Sequence, residues 1–404
     1  MTAARGRVLV LDGDTRAGLE MARRLHRLGE RVAIASSETH ASGMRTRAAE
    51  ARVVLPDPRA AFDAYADGIV ESLGAGDVAL CSGERALEAL RARREAITER
   101  GAVAAIASEA ALTIAGSKQL TLDRATSLGI ESPRSLQVST PEQTLAGADE
   151  LGYPLVVKPL ASWRALPGGG GETVAPMLAY DRAGLENVAH RLVRPDAPAL
   201  LQQVATGVRE THKFVLQDGR LIARLVMVAE RCWPPLGGSS VMRVTVEPPA
   251  DSYALALALV TDAGLEGVSE VEFRRDAGGR PLLMEINARI SQSVALAHRA
   301  GVELAQLQLR WARGEHLEPA ADFRRGVRLG WPAGDARLLA CGLIGRLDPR
   351  PSPLGELRDI ARDYTLGHAG LEGLDRHDLA PTAAALTFTL RSAGGWLRRA
   401  STRG

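Results

Sequence analysis

In the first part of the chain, short apolar runs alternate with helix-like stretches, and this alternation restricts the fold more than any other sequence feature. Residues 8–11 form an apolar run before an amphipathic stretch over residues 18–28, and four further apolar runs follow before residue 110. Strands separated by helices are typical of a parallel sheet with helices on its faces. We therefore predict an open α/β domain over residues 1–115.

The pattern changes near residue 117 from alternation with helices to pairing of neighbouring strands. A polar helix is predicted over residues 117–128, and later apolar runs are paired across an Asp218-Gly219 turn, a strong hairpin signal. Because 404 residues exceed one ordinary core, several domains are expected. We predict an antiparallel α+β domain over residues 116–315 and a small C-terminal segment over residues 316–404 that packs on it.

Composition and charge exclude several classes of protein. The formal net charge of +2 gives no electrostatic argument for nucleic-acid binding. The cysteines Cys81, Cys232 and Cys341 are widely spaced, which argues against a disulfide framework or a Cys-rich zinc site. No uncharged run approaches the ~20 residues needed to cross a bilayer, and the first apolar run is too short for a signal peptide. We expect a cytoplasmic protein that binds neither membrane nor nucleic acid.

A polar pattern within a predicted strand indicates a metal site. Glu285 and Asn287 are two residues apart and share one face of the strand, whereas Met284 and Ile286 are expected to face the core. Glu272, on the preceding strand of the hairpin, can lie beside them. Two carboxylates and an amide oxygen suit magnesium ions that also bind water and phosphate. The competing interpretation is the solvated face of a hairpin, and the arginine two residues further on favours the metal site.

A lysine at the end of a predicted strand, followed by a glycine run, is a candidate phosphate site. Lys158 supplies a compact positive charge, and Gly169 and Gly170 lie in the run 168–171, whose backbone N–H groups can approach phosphate oxygens. An ordinary surface loop is the alternative. The run lacks the Gly-Lys-Ser/Thr ending of a P-loop, so the sequence excludes a Walker-type ATPase.

Two glycines in the first strand-to-helix turn raise the question of a dinucleotide site. Gly13 and Gly18 do not complete the Gly-x-Gly-x-x-Gly spacing that such sites use. We interpret them as part of a plain turn and place no cofactor there.

Taken in order, several of these elements resemble the ATP-grasp superfamily, in its branch of carboxylate–amine (amino acid) ligases. The likeness rests on Lys118, Lys158, the glycine run, the connection over residues 202–207, and Glu272 with the Glu-x-Asn-x-Arg element that ends at Arg289. It covers about residues 117–314. The resemblance implies an ATP-dependent ligase that forms an amide or peptide bond through an acyl phosphate and releases ADP and phosphate.

The resemblance also implies roles for single residues in nucleotide, metal and phosphoryl binding. These are phosphate contacts for Lys118 and Lys158, the adenine pocket for Gln202, Gln203 and the backbone at Ala205, a ribose contact for Glu210, magnesium ligation for Glu272, Glu285 and Asn287, and the transferred phosphoryl group for Arg289. One departure concerns the adenine contacts, because glutamines stand where the family commonly has a glutamate.

The segment after the Asp218-Gly219 hairpin is similar to that of family members that ligate amino acids. Residues 237–240 are Gly-Gly-Ser-Ser and offer N–H and hydroxyl donors for a substrate carboxylate. Arg243 can hold that carboxylate or the acyl phosphate through two hydrogen bonds. A surface turn is the alternative interpretation.

The expected cofactors and partners follow from the same resemblance. They are ATP, Mg²⁺ (two ions, with Mn²⁺ as an alternative metal) and small-molecule carboxylate and amine substrates, while a homodimer stays open. One rival function is a carboxylase or carbamoyl phosphate synthetase-like enzyme that uses bicarbonate, which the lack of a visible biotin-accepting domain or tandem duplication disfavours. Another is a non-catalytic nucleotide-binding protein, which Lys158, Glu285, Asn287 and Arg289 argue against.

Overall fold

The first sheet is parallel, as the alternation of strands and helices predicts. The computed structural model describes residues 6–166, 168–235, 237–343, 352–365 and 369–385. The elements of this part are β1 (Val8–Val10), α1 (Arg16–Arg27), β2 (Val32–Ser36), β3 (Ala51–Val54), α2 (Phe62–Glu71), β4 (Val78–Leu80), α3 (Glu84–Ala92), α4 (Arg94–Glu99), β5 (Val103–Ala104) and α5 (Glu109–Gly116). The strand order is β3-β2-β1-β4-β5, which confirms the predicted α/β class.

A small antiparallel sheet follows. Its elements are α6 (Lys118–Ser127), β6 (Ser135–Val138), α7 (Pro141–Leu151), β7 (Leu155–Pro159), β8 (Trp163–Ala165), β9 (Gly171–Thr173), β10 (Met177–Ala179), α8 (Arg182–Leu192) and β11 (Ala199–Gln203). The four main strands are ordered β10-β7-β11-β6, and β8 and β9 form a separate hairpin. Apolar side chains of α7, α8 and these strands share one core, so this sheet is packed on one side by two helices.

The largest sheet contains the remaining strands. Its region comprises β12 (Arg209–Gln217), β13 (Arg220–Trp233), β14 (Ser239–Thr245), α9 (Ala250–Asp262), β15 (Gly267–Arg275), β16 (Pro281–Asn287), α10 (Val294–Ala300), α11 (Leu304–Ala312), β17 (Arg328–Gly330), α12 (Pro332–Leu343), α13 (Pro353–Thr365) and β18 (Gly370–Leu371). Its seven strands are ordered β16-β15-β12-β13-β14-β17-β18. The C-terminal segment therefore extends this sheet, because β17 pairs with β14. No helix within the described ranges is long and apolar enough to cross a membrane.

The turn between β12 and β13 has the predicted hairpin geometry. Asp218 and Gly219 have φ values of 53° and 70°, as a two-residue turn with a primed geometry requires. The carboxylate of Glu266 accepts hydrogen bonds from both backbone N–H groups, at 2.8 and 2.9 Å. The turn places β12 and β13 in antiparallel register along their length.

The register of β15 and β16 corrects one prediction about the metal strand. Glu272 is paired with Glu285, but the next pair is Phe273 with Leu283, so Met284 is an extra residue in β16. Such a bulge interrupts the alternation of inward and outward side chains. Met284 is half-buried and lies on the wall of a cavity, so the prediction that it faces the core is wrong.

Close packing explains why residue 18 is a glycine. A Cβ atom at Gly18 would lie 2.3 Å from the carbonyl oxygen of Asp12. We expect Gly18→Ala to lower the free energy of unfolding by about 1 to 3 kcal/mol, as overpacked sites do. Urea denaturation measures this value. The matched control is Gly68→Ala in α2, where the new Cβ would meet side-chain atoms of Leu55 and Pro56 at 3.2 and 3.3 Å. Equal stability of the two variants would contradict this explanation.

Candidate active site

A cavity between the small sheet and the largest sheet, which α3 and α5 of the first domain also line, collects five of the predicted site residues. Its wall includes Lys118 at the start of α6, Lys158 on β7, Gln202 on β11, and Glu285 and Asn287 on β16. Lys158 and Gln202 belong to the small sheet and Glu285 and Asn287 to the largest sheet, so the cavity exists only when the sheets are assembled. Leu87, Leu112, Leu200 and Ile286 supply the apolar part of the wall.

The acidic side of the cavity is formed by β16, and the neighbouring strand β15 places Glu272 beside it, outside the cavity wall. Glu272 lies directly opposite Glu285 across the β15–β16 ladder, and Asn287 Nδ2 donates a hydrogen bond of 3.1 Å to Glu285 Oε1. Burial raises the pKa of Glu272 to about 7, with Arg209 opposing the shift and Glu285 adding to it. The acidic pair is therefore short of positive charge. In the described residues, no group of three or more His, Cys, Asp or Glu side chains is placed to hold a metal.

On the basic side of the cavity, positive charge is in excess. Burial lowers the pKa of Lys158 to about 8, while Glu285 raises it and Lys118 lowers it further. Lys118 Nζ lies 3.4 Å from Ser162 Oγ. Two lysines that approach one another in a buried place lack an anion between them.

Together these features fit a magnesium nucleotide. A divalent cation beside Glu272 and Glu285 would restore charge balance on the acidic side, with Asn287 and water or phosphate oxygens as further ligands. A phosphate chain would do the same for Lys118 and Lys158. Gln202 Oε1 is buried without a hydrogen-bond partner, and it is an acceptor of the kind that an adenine amino group can satisfy.

Arg289 links this strand to the first domain. Its Nη2 donates to Asn287 Oδ1 at 3.0 Å and its Nε donates to Glu84 Oε1 at 2.6 Å. Burial alone would lower the pKa of Arg289, but the carboxylates of Glu84, Glu270 and Glu285 together outweigh burial and raise it. The guanidinium is thus held permanently charged. Arg289 is not part of the cavity wall, but it is hydrogen-bonded to Asn287, which is.

Sequence reasoning missed several charged residues beside the acidic pair. Lys213 Nζ donates to Ser291 Oγ at 2.6 Å and also contacts Glu270, which accepts from Ser291 at 2.7 Å. Arg209 Nη1 lies 3.9 Å from Glu272 Oε2. Arg209 and Lys213 lie four residues apart on β12, and Glu270 and Glu272 lie two apart on β15, so each strand keeps its pair on one face. This period of two was the signal that could have revealed them.

Arg243 is fully buried and does not line the cavity. Its Nη2 donates to Glu372 Oε1 at 2.5 Å, and its Nη1 donates to the carbonyl of Ser240 at 3.2 Å. The structure therefore places the predicted acyl-phosphate arginine in an ion pair with the C-terminal segment.

The glycine run does not reach the cavity either. Gly169 accepts a backbone hydrogen bond from Phe62, and a Cβ at Gly170 would lie 1.9 Å from the carbonyl oxygen of Arg59. The glycines thus allow a close approach to the first domain. Gln203 Nε2 donates to the carbonyl of Leu151 at 2.7 Å, and neither Gln203 nor Ala205 is part of the cavity wall.

Glu210 is separated from the site by the sheet itself. Its neighbour Thr211 is paired with Glu272, so Glu210 points to the opposite face of β12. There its carboxylate accepts from Ser252 Oγ at 2.7 Å and pairs with Arg275. The prediction of a ribose contact at Glu210 does not agree with this position, because alternation along β12 turns Glu210 away from the face that carries the acidic pair.

Comparisons with known proteins bear on the family and the fold. Residues 219–333 match the family described as "ATP-grasp in the biosynthetic pathway with Ter operon". Over 203 residues the chain is 29% identical to the carbamoyl phosphate synthase large chain of Kocuria rhizophila. That match covers 47% of this chain but 18% of the relative, so the chain spans less than a fifth of the relative's length.

Two solved structures share the fold. The L-amino acid ligase from Bacillus licheniformis has a TM-score of 0.57, with 18% identity, over 77% of this chain and 75% of that protein. The biotin carboxylase domain of the Hydrogenobacter thermophilus 2-oxoglutarate carboxylase, solved with MgADP, ADP and bicarbonate, has a TM-score of 0.61, with 16% identity, over 81% and 74%. The chain carries an ATP-grasp domain.

The position of Glu210 predicts a stability effect without a binding effect. Burial would raise its pKa, but hydrogen bonds from Arg275 and Ser252, together with the nearby His212 ring at 3.7 Å, outweigh burial and lower the pKa to about 2. We expect Glu210→Gln to lower the free energy of unfolding at neutral pH by roughly 1 to 3 kcal/mol.

Because the folded-state pKa is depressed, this stabilisation is present above the unfolded-state pKa of about 4.3 and is lost as pH falls toward 2. Urea denaturation over this pH range measures it, and the wild-type advantage should shrink with acidification. Weaker ATP binding by the variant with unchanged stability would restore the ribose assignment.

Proposed function

We propose that this protein is an ATP-dependent carboxylate–amine ligase that forms an amide or peptide bond, with an amino acid as one substrate. The observation that carries the proposal is the pair of opposite charge imbalances across one cavity, between Lys118 and Lys158 on one wall and Glu285 with its partner Glu272 on the other. That arrangement suits a magnesium-bound triphosphate.

In the proposed reaction, the site acts mainly by positioning the reacting groups and stabilising their charge. A carboxylate oxygen of the acid attacks the γ-phosphorus, the bond to the β-phosphate oxygen breaks, and ADP leaves. The amine then attacks the acyl carbon, phosphate leaves, and the amine proton passes to phosphate or water. Lys158 and Arg289 are the cations proposed to hold the charge on the transferred group, and bound magnesium would add to that charge stabilisation.

An amino acid is the proposed substrate because one relative in fold is named an L-amino acid ligase. The segment at residues 237–240 and Arg243 supports the same substrate class through its donors and positive charge. The proposal assigns to ATP and Mg²⁺ the roles that the relatives' ADP and MgADP complexes illustrate.

A second candidate is a reaction that activates bicarbonate. It is favoured by the likeness to a carbamoyl phosphate synthase large chain and to a carboxylase domain solved with bicarbonate. In this case ADP formation would depend on bicarbonate and not on an added amino acid. Assays in carbon dioxide-depleted buffer, with bicarbonate or single amino acids added back, separate the two.

The acidic pair predicts the effect of removing one charge. Glu285→Gln keeps the shape of the side chain but weakens metal binding, so ATP turnover should fall roughly 100-fold or more. The control is Glu131→Gln, since Glu131 is exposed and pairs with Arg280. Turnover is measured as ADP release, and the melting temperature checks the fold. Wild-type turnover in Glu285→Gln would refute the metal assignment.

The type of phosphoryl transfer predicts the products. Transfer of the γ-phosphoryl group to a carboxylate yields ADP and phosphate, whereas adenylation of the acid would yield AMP and pyrophosphate. We expect one ADP and one phosphate per bond formed, measured by ion-exchange chromatography and a phosphate assay. AMP as the stoichiometric product would contradict the proposed mechanism.

A further inference from the structure

One buried carboxylate from the end of the described chain lies between two arginines that come from distant elements. Glu372 pairs with Arg16 at the start of α1 and with Arg243 on β14. The side chains of Glu372 and Arg243 are 3% and 0% exposed. Glu372 is fixed there by its backbone N–H, which donates to the carbonyl of Gly330 at 2.8 Å.

Positive charge exceeds negative charge in this cluster. The Arg16 guanidinium lies 4.0 Å from the ring centre of Trp331, and the Arg337 guanidinium lies 5.3 Å from the same ring. Arg337 has no ion-pair partner in the part of the chain that the structure describes. Two guanidinium groups thus share one carboxylate and a third lies beside the same tryptophan, and such an excess of arginine is the composition of an anion-binding site.

Glu372 satisfies the arginines incompletely. It offers one oxygen to Arg243 and the other to Arg16, and Arg243 Nε is buried without a hydrogen-bond partner. A guanidinium binds a free carboxylate through two parallel hydrogen bonds, which is the stronger arrangement. A ligand carboxylate that occupies this place would therefore use a donor that Glu372 leaves unused.

The cluster adjoins the proposed reaction site. Arg243, Ala229, Arg209 and Arg274 are successive partners across four strands, and Glu272 follows on the same face of β15. With strands about 4.8 Å apart, the cluster lies ~15 Å from the acidic pair. Next to Arg16, the backbone N–H of Ala17 donates to Gln292 Oε1 in the loop that follows Arg289.

The segment that carries Glu372 is attached so that it can open without leaving the protein. On its N-terminal side it is held by β18, a strand of two residues at the edge of the largest sheet. On its other side the anchor is Asp378, whose Oδ2 accepts from Arg23 at 2.9 Å in a buried contact, while the hydrogen bond of 3.0 Å from Arg23 to the carbonyl of Gly373 would break on opening. Short edge strands open at low free-energy cost. The two ion pairs of Glu372 would also break on opening, and the incoming carboxylate would replace them with its own.

From this geometry we propose that Arg16 and Arg243 form a binding site for the unreacted carboxylate of an α-amino acid substrate, and that Glu372 is an internal carboxylate that occupies it until the substrate displaces residues 369–373. The inference rests on the proposed function. It specifies that the amine substrate keeps its own carboxylate, because the site is too far from the acidic pair for that carboxylate to receive the phosphoryl group.

The first experiment uses the wild-type chain and needs no turnover. Hydrogen–deuterium exchange of the peptide that contains residues 369–373 is measured with each of the twenty standard amino acids and with the matching amino acid amides. At least one amino acid should raise the exchange, and its amide should not, because the amide lacks the carboxylate. No change with any amino acid would overturn the proposal.

The second experiment measures KM for the amino acid that the first identifies. Glu372→Gln removes the competing charge, so KM should fall roughly fivefold to tenfold, as expected when a closed state no longer reduces apparent affinity. Arg16→Gln should raise KM roughly tenfold or more. The control is Glu303→Gln, which removes the ion pair of Glu303 with Arg24. Arg24 lies on α1, the same helix as Arg16, and this variant should leave KM unchanged.

The outcomes separate this proposal from the proposed function. If Glu372→Gln loses stability and its KM is unchanged or higher, the cluster is a structural ion pair and the proposal fails, while ligase activity stands. If AMP is formed, the ligase mechanism fails, but displacement of residues 369–373 by an amino acid still identifies the carboxylate site.

Discussion

The ion pair between Arg289 and Glu84 is the contact on which the candidate site depends. Arg289 is buried, and a buried guanidinium without a partner would be strongly destabilising. Glu84 begins α3, at the carboxyl end of the parallel sheet, so the pair fixes the first domain against β16. Through Asn287, the same guanidinium orients the acidic strand. The first domain and the largest sheet therefore meet at one arginine.

Local pattern predicted the fold well, because the decisive features were short in range. The parallel sheet follows from apolar runs separated by helices, and the Asp218-Gly219 turn follows from two residues that tolerate positive φ. The pairing of Glu272 with Glu285 also followed from the hairpin. The pattern of residues 316–404 was weak, and the addition of β17 to β14 was not predicted, since a three-residue strand carries little periodicity.

The less successful predictions share a physical cause. Glu210 was placed by its nearness in sequence to the adenine segment, although strand alternation turns it to the far face. Gly169 and Gly170 have the composition of a phosphate loop, but their small size instead lets this segment pack closely against the first domain. The bulge at Met284 has no signal in a single sequence. In each case, tertiary packing selected one of several uses that a residue type allows.

The contacts between α1 and the last described residues bear on the order in which the chain folds. Arg16 and Glu372 are 356 residues apart, and Arg23 and Asp378 are 355 apart. Closing so long a loop is slow, because its entropy is lost before the contact forms. On the ribosome, the arginines of α1 emerge long before their partners Glu372 and Asp378, so these ion pairs cannot form until the intervening residues have been synthesised. The hairpins around Glu285 can pair long before that, so assembly of the carboxylate cluster is expected to be the final folding event.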